Sequence, residues 1–377
     1  MHAHAAAHPA ARRRPLPPRL NLWRRARRII AIALSICLVP ILLSFGTALA
    51  GPSNSSFTIR CFEWLRDHGA AQVASQIESV YYTLNAPATG GPALRTLPLK
   101  SRGVAAVHPG DIAPVIRPSL AGEGVWVPTE TWSGAGPPVQ VAQFRSDSNY
   151  PQMVAGVAWI DPHRTTISLY PGRLEPSVSL PRGPMEVPPA NRSRLLAAFN
   201  SGFKLADSHG GFALGGVTYA PMQPGIATFV HYSDGRVDIQ SWPGGPQVPP
   251  GVDYARQNLP LIVEGGQPNP NLSDGPEWGA TLGNAVRVWR SGIGIDAHGD
   301  LIYAAASDQT VGSLAEILIR AGAIRAMQLD INSYWDTFIS YAQPGAGHPG
   351  SLLPGMTRPV TRYLTPDDRD FFAVSLR

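Results

Sequence analysis

A run of 22 uncharged residues, Ile29 to Ala50, comes directly after a segment whose only charges are eight arginines, and this pairing constrains the rest of the chain. About 20 apolar residues suffice for an α-helix to cross a bilayer. The arginines are Arg12, Arg13, Arg14, Arg19, Arg24, Arg25, Arg27 and Arg28, and the positive-inside rule keeps such a segment in the cytoplasm. Residues 1–28 therefore read as a basic cytoplasmic tail, residues 29–50 as a signal peptide or transmembrane anchor, and everything beyond as exported. Ala48-Leu49-Ala50 before Gly51 is a small-residue cleavage pattern, while the long basic region and long apolar run fit a retained anchor. Both readings stand: a domain anchored to the membrane through residues 29–50, or one secreted after cleavage at Ala50.

The same arginines account for the basic balance of the chain. Its formal charge is +5, yet removing those eight from 31 basic residues leaves 23 against 26 acidic ones, about −3 for residues 51–377. The exported part thus has no electrostatic support for a nucleic-acid partner. Cys37 lies in the apolar run and Cys61 is alone beyond it, so neither an intrachain disulfide nor a thiolate metal site can staple the exported part.

Two regions follow. Residues 51–138 read as helical and then rich in proline and glycine. Phe57 to Leu84 carries apolar residues near helical spacing, including Phe62, Leu65, Val73, Ile77, Val80 and Tyr81, with a break at Gly69, which predicts a helix pair packed beside the membrane or against the domain. From Asn85 to about Pro138 loops dominate. Residues 139–377 read as the main domain. Val139 to Phe144, Met153 to Ile160 and Thr166 to Tyr170 predict strands, and Ala227 to Tyr232 pairs with Val237 to Trp242 across an Asp234-Gly235 turn. A second hairpin joins Ala285–Asp296 to Leu301–Ala305. Ser313 with Glu316 predicts a capping box, followed by a helix that stops at Gly322 and a short buried strand through Leu329. Hairpins interrupted by a strand-helix-strand succession predict an α+β fold with mixed, hairpin-rich β-sheets and a few packed helices.

Four polar residues close apolar runs: Asn200, Glu264, Arg290 and Asp330. Ends of rigid elements are where side chains reach a shared cleft, although each residue read singly is more often a cap or a surface charge. Asn200 is the most telling, because Asn200-Ser201-Gly202-Phe203 and then Gly210-Gly211-Phe212 place glycine signals where a buried strand should stop. Gly292-Ile293-Gly294 reads as close packing or a bulge within a hairpin strand. His209 sits beside the glycine turn; the other histidines are scattered. No serine-hydrolase elbow, P-loop, zinc-protease helix or dinucleotide loop is present, and neither a metal nor a cofactor is called for.

At these residues the chain resembles the phosphodiester glycosidases related to N-acetylglucosamine-1-phosphodiester α-N-acetylglucosaminidase. Asn200-Ser201-Gly202-Phe203 is similar to the family's Asn-Gly-Gly-Phe motif, and Arg290-Ser291-Gly292-Ile293-Gly294 to its arginine before a glycine-bearing strand. Gly312-Ser313-Leu314 through Gly322-Ala323 to Leu329-Asp330 is similar to its helix and Leu-Asp ending. Trp64-Leu65-Arg66-Asp67 and Gly122-Glu123-Gly124-Val125-Trp126 resemble exported bacterial members. The family's Leu-Asp-Gly-Gly-Gly-Ser ending reads Leu329-Asp330-Ile331-Asn332-Ser333-Tyr334 here, which removes the close backbone approach that three glycines allow.

The resemblance implies an exported hydrolase that cleaves the glycosidic bond of a sugar 1-phosphodiester in envelope or secreted polysaccharide. Its partner would be a phosphate-linked glycan. Such a site needs a carboxylate facing the developing oxocarbenium or activating water, with fixed donors for the phosphate. Asp330 takes the carboxylate role and Glu264 is the second carboxylate candidate. Arg290 offers a planar fork to phosphate, and Asn200, Gly202, Phe203, Gly211 and Asn332 complete the expected substrate contacts. The alternative is a non-catalytic glycan-binding or envelope-assembly protein on the same fold, with Tyr334 and Trp335 as an aromatic sugar platform.

Overall fold

The computed structural model describes residues 19–98, 109–129, 136–273, 276–279, 287–341, 345 and 347–377. Ala285 and Val286, the start of one predicted strand, lie outside these. The chain divides into two compact units, Met1–Gly51 and Pro52–Arg377.

In the first unit, helix α1 (Arg19–Ala50) runs without interruption through Pro40. Leu22–Ala50 is long and apolar enough to cross a membrane. Ile30, Ile36, Leu38, Ile41 and Leu42 are exposed along it. An apolar surface on every side suits lipid rather than water.

The second unit is α+β. Its largest sheet has eight strands in the order Val127–Pro128, Val139–Arg145, Val154–Ile160, Leu301–Gln309, Val288–Ile295, Arg325–Gln328, Leu261–Glu264, Gln267–Pro268. A five-stranded sheet orders Pro349–Ser351, Phe338–Tyr341, Leu195–Asn200, Phe371–Leu376, Thr165–Tyr170, and another orders Val217–Ala220, Phe212–Leu214, Val252–Gln257, Ala227–Tyr232, Val237–Ser241. The strand-helix-strand succession joins two strands that both pair antiparallel with Val288–Ile295 lying between them. They run in the same direction without touching, so the sheets are antiparallel in every described pairing, and the crossover leaves no parallel ladder.

Period-2 alternation explains how the large sheet is buried on both faces. Leu301, Tyr303 and Ala305 join a core with Phe199, Phe229 and Phe372 from the other two sheets. Ile302, Ala304 and Ala306 point the other way, onto Leu314, Ile317 and Leu318 of the helix Val311–Arg320. A strand wetted on neither face reads as a continuous apolar run. Gly292 and Gly294 are packing glycines, because a Cβ on either would come within 3.0 Å of Leu318 or 2.7 Å of Ala323. The helix itself starts one turn earlier than predicted. Thr310 is its cap and accepts from the Ser313 amide, while the Ser313 hydroxyl accepts from the Thr310 amide.

The predicted helix pair is present as α2 (Phe57–Leu65) and α3 (Ala71–Leu84), with Gly69 at φ +94° in the kink between them. Val73, Ile77, Val80, Tyr81 and Leu84 are exposed, and α3 meets the domain with Ala74, Glu78 and Tyr82 instead. Glu123 of the Gly122–Trp126 segment is a buried clamp for Arg145, at 2.7 and 2.9 Å.

Candidate active site

A cavity of about 250 Å³ opens where the end of the large sheet meets α2 and α3. Asp330, Ile331, Asn332 and Trp335 form its floor, Phe203, Asp207 and His209 one side, Glu277 and Gly279 another, and Arg66, Glu78 and Arg369 the remainder.

Asp330 arrives as predicted, at the end of the buried strand Arg325–Gln328. Its Oδ1 accepts from the amides of Ile331 at 2.8 Å and Asn332 at 3.1 Å, and its Oδ2 accepts from Arg369 Nη2 at 3.1 Å. Burial pushes its pKa up against the pull of Arg369 and the two amides. Ile331 is buried within the floor. It packs with Phe203 and Val288, and its Cδ1 lies 2.4 Å from where a Cβ on Gly279 would be, so the glycine makes room for it. Asn332 continues the turn, its Oδ1 accepting from the Tyr334 amide at 2.9 Å and its Nδ2 reaching Glu78 Oε1 at 3.5 Å.

Behind the floor lies a hydrogen-bonded layer. Ser291 Oγ donates to Asp336 Oδ1 at 2.6 Å and accepts from the Asp330 amide and from Asn200 Nδ2. Asn200 spends its whole amide there: Oδ1 accepts from Tyr303 Oη and the Thr337 amide, and Nδ2 also donates to the Ser201 carbonyl. Burial, reinforced by the charge of Asp330, drives the Asp336 carboxyl well above the usual carboxylate range. A neutral Asp336 removes the cost of a second buried anion beside Asp330.

The other expected site residues divide between cavity and support. Phe203, Asp330 and Asn332 line the cavity, whereas Asn200, Gly202, Gly211, Glu264 and Arg290 are not among its lining residues. Gly202 holds Arg369 through its carbonyl at 3.1 Å. Gly211 is a close-packing position, since a Cβ would come 2.6 Å from Met222 Cα. Arg290 spends its fork on the carbonyls of Gln309 and Trp278 and on Gln328 Oε1, and burial lowers its pKa to about 10. Glu264 is exposed, at the turn into Gln267–Pro268.

Residues 196–330 match the phosphodiester glycosidase family. The matched segment contributes Phe203, His209 and Asp330 to the cavity; Arg66, Glu78, Trp335 and Arg369 come from outside it. Among solved structures, the catalytic domain of zebrafish N-acetylglucosamine-1-phosphodiester α-N-acetylglucosaminidase, auto-inhibited by its pro-peptide, is similar at 15% identity and TM-score 0.43, over 66% of this chain and 86% of that one. A hypothetical protein from Synechocystis is 15% identical over 64% of this chain and 62% of its own, with TM-score 0.38. A protein from Burkholderia pseudomallei is 12% identical over 60% and 74%, with TM-score 0.35. No curated protein is matched by the sequence.

Arg369 was not anticipated. It precedes the buried strand Phe371–Leu376, lies over the Trp335 ring at 5.1 Å, and carries both its contacts on Nη2. Its Nε is buried with no partner among the described residues. Arg66, the other cleft cation, is held by Asp207 at 3.2 Å. Across the same region Lys204 binds Glu63 at 2.5 Å and Asp67 at 2.8 Å, which ties α2 and the kink to the loop after Phe203. Among the described residues no group of three or more histidine, cysteine or acidic side chains is placed to hold a metal.

Proposed function

We propose that this cleft hydrolyses the glycosidic bond of a sugar 1-phosphodiester on the exported side of the membrane, in envelope or secreted polysaccharide. The observation that carries this reading is Asp330. A carboxylate at the end of the family-matched segment faces a cavity while two amides and a guanidinium hold it in place. So fixed, it can face the positive charge that develops at the anomeric carbon. Arg369 and Arg66 line the cavity and are the cations available to a phosphate. Phe203 supplies an apolar side for the sugar ring. Trp335 supports this reading over a binding platform, because it is buried beneath Arg358, Arg362 and Arg369 and has little open face.

The test uses the full chain in detergent with a glycosyl-1-phosphodiester and follows release of reducing sugar. Asp330→Asn keeps the shape and removes the charge, so turnover should fall about 10³-fold while substrate still binds. Equal rates in variant and wild type would sink the role of Asp330.

A further inference from the structure

We propose that Glu78 of α3 is the second carboxylate of the cleft, taking the proton of the attacking water while Asp330 faces the anomeric carbon. This rests on the hydrolase reading above. It moves the second carboxylate from Glu264, which is exposed on a turn, to a helix that precedes the family-matched segment.

Three observations converge on Glu78. First, it is the only charged residue of α3, and it lies on the side that meets the domain, with Ala74 and Tyr82. The apolar Val73, Ile77, Val80, Tyr81 and Leu84 are left exposed. Packing alone would favour the opposite rotation of the helix, so a carboxylate turned inward is an expense the fold carries. Second, Asn332 spans both carboxylates: its amide donates to Asp330 Oδ1 at 3.1 Å and its Nδ2 reaches Glu78 Oε1 at 3.5 Å. The two acids therefore share one cavity and one positioning residue. Third, the groups around Glu78 suit a base that works near neutral pH. Arg66 is the cation beside it and is already engaged by Asp207, while Glu63, Asp207 and Asp330 add negative charge. Glu277, His209 and Arg369 complete the charged and titratable lining. Burial and the three acids push the Glu78 carboxyl up to about 7. Asp330 has three donors on its oxygens, which favour its anion against the upward pull of burial.

The step balances without an added reagent. The bond from the anomeric carbon to the phosphate oxygen breaks and its electron pair stays on that oxygen, giving a phosphomonoester. Water forms the new bond to the anomeric carbon and its proton passes to the Glu78 carboxylate, which later returns it to solvent. A phosphomonoester leaves well, so the step needs a base for water more than an acid for the leaving group.

The experiment compares wild type, Glu78→Gln and Glu78→Ala between about pH 5 and 9 on a glycosyl-1-phosphodiester. The wild-type rate should rise through about pH 7. Glu78→Gln should lose about 10²-fold or more at pH 8 and lose that rise. Glu78→Ala should be rescued by azide, which needs no base, with glycosyl azide as the product. A Glu78→Gln enzyme that keeps both the rate and the pH profile overturns the role of Glu78 and leaves the reaction standing. A wild type that turns over no glycosyl phosphodiester overturns the reaction itself, and a merely structural Glu78 would give neither azide rescue nor a changed profile.

Discussion

Phe203, His209 and Asp330 reach the cleft from loops that close sheet strands, whereas Arg66 and Glu78 reach it from helices lying outside every sheet. The sheet-borne wall rests on the common core of Phe199, Tyr303 and Phe372 and on buried polar contacts such as Ser291 with Asp336. Its partner wall is tethered at points: Lys204 to Glu63 and Asp67, Arg66 to Asp207, the Ser56 amide to Tyr334 Oη, and Asn54 to Arg362 and Asp367. Core burial makes a wall that unfolds as a unit, while discrete ion pairs make one that can shift while the rest stays folded. Damage to the first should appear as lost stability and damage to the second as lost activity.

The largest effect should come from the sheet-borne wall. Arg256 is almost wholly buried, with Nε on Asp370 Oδ2 at 2.8 Å and its two Nη atoms on the carbonyls of Gln257 and Phe203. Arg256→Met would leave Asp370 buried without its cation, at a cost of about 3–5 kcal/mol. Chemical denaturation should show that loss together with loss of turnover. A variant that melts like wild type would show that the core does not hold this wall.

Lys204→Met tests the tethered wall. It removes the cation shared by Glu63 and Asp67, and Lys204 is what holds the Glu63 carboxyl below its usual range against burial. Leaving Glu63 buried and unpaired should cost about 1–3 kcal/mol locally. Turnover should fall at least tenfold, and proteolysis near Gly69 should quicken while global unfolding hardly changes. If activity survives with the helices loosened, the two walls do not act together.

The same division marks how far the sequence was legible. Asp330 could be read because an apolar run, Ala326 to Leu329, ends on it; Asn200 was visible by the same rule but serves the layer behind the floor. A pattern of this kind marks strand ends and does not say which way the side chain turns. Arg369 obeys the rule in reverse, standing in the charged stretch Asp367 to Asp370 before the apolar Phe371 to Val374, and a search at strand starts would have found it. Glu78 gave a weaker signal, one carboxylate in an otherwise uncharged helix. Its meaning depends on the rotation of α3, and the apolar stripe suggested a face that the structure leaves exposed. The hairpins and the Val311–Arg320 helix were plain because alternation and capping are local, whereas the joining of three sheets around Phe199 and Phe372 depends on contacts between distant segments.

The smallest expected effect separates function from support at a single residue. The folded-state carboxyl of Glu78 is raised from 4.5 to about 7, so between those values the folded chain holds a proton that the unfolded chain has released. Stability therefore falls as pH rises from about 4.5 to about 7 and is flat on either side, the opposite of a carboxylate held by a cation. Glu78→Gln removes this dependence. At pH 8 it should be more stable than wild type by on the order of 1 kcal/mol, after allowing for partial solvent screening, and at pH 4 the two should coincide. Thermal melts at the two pH values measure the difference directly. A base kept for chemistry predicts a variant that gains stability while losing turnover. Equal loss of both would instead make Glu78 a strut of the tethered wall, with Asn332 as the contact it serves.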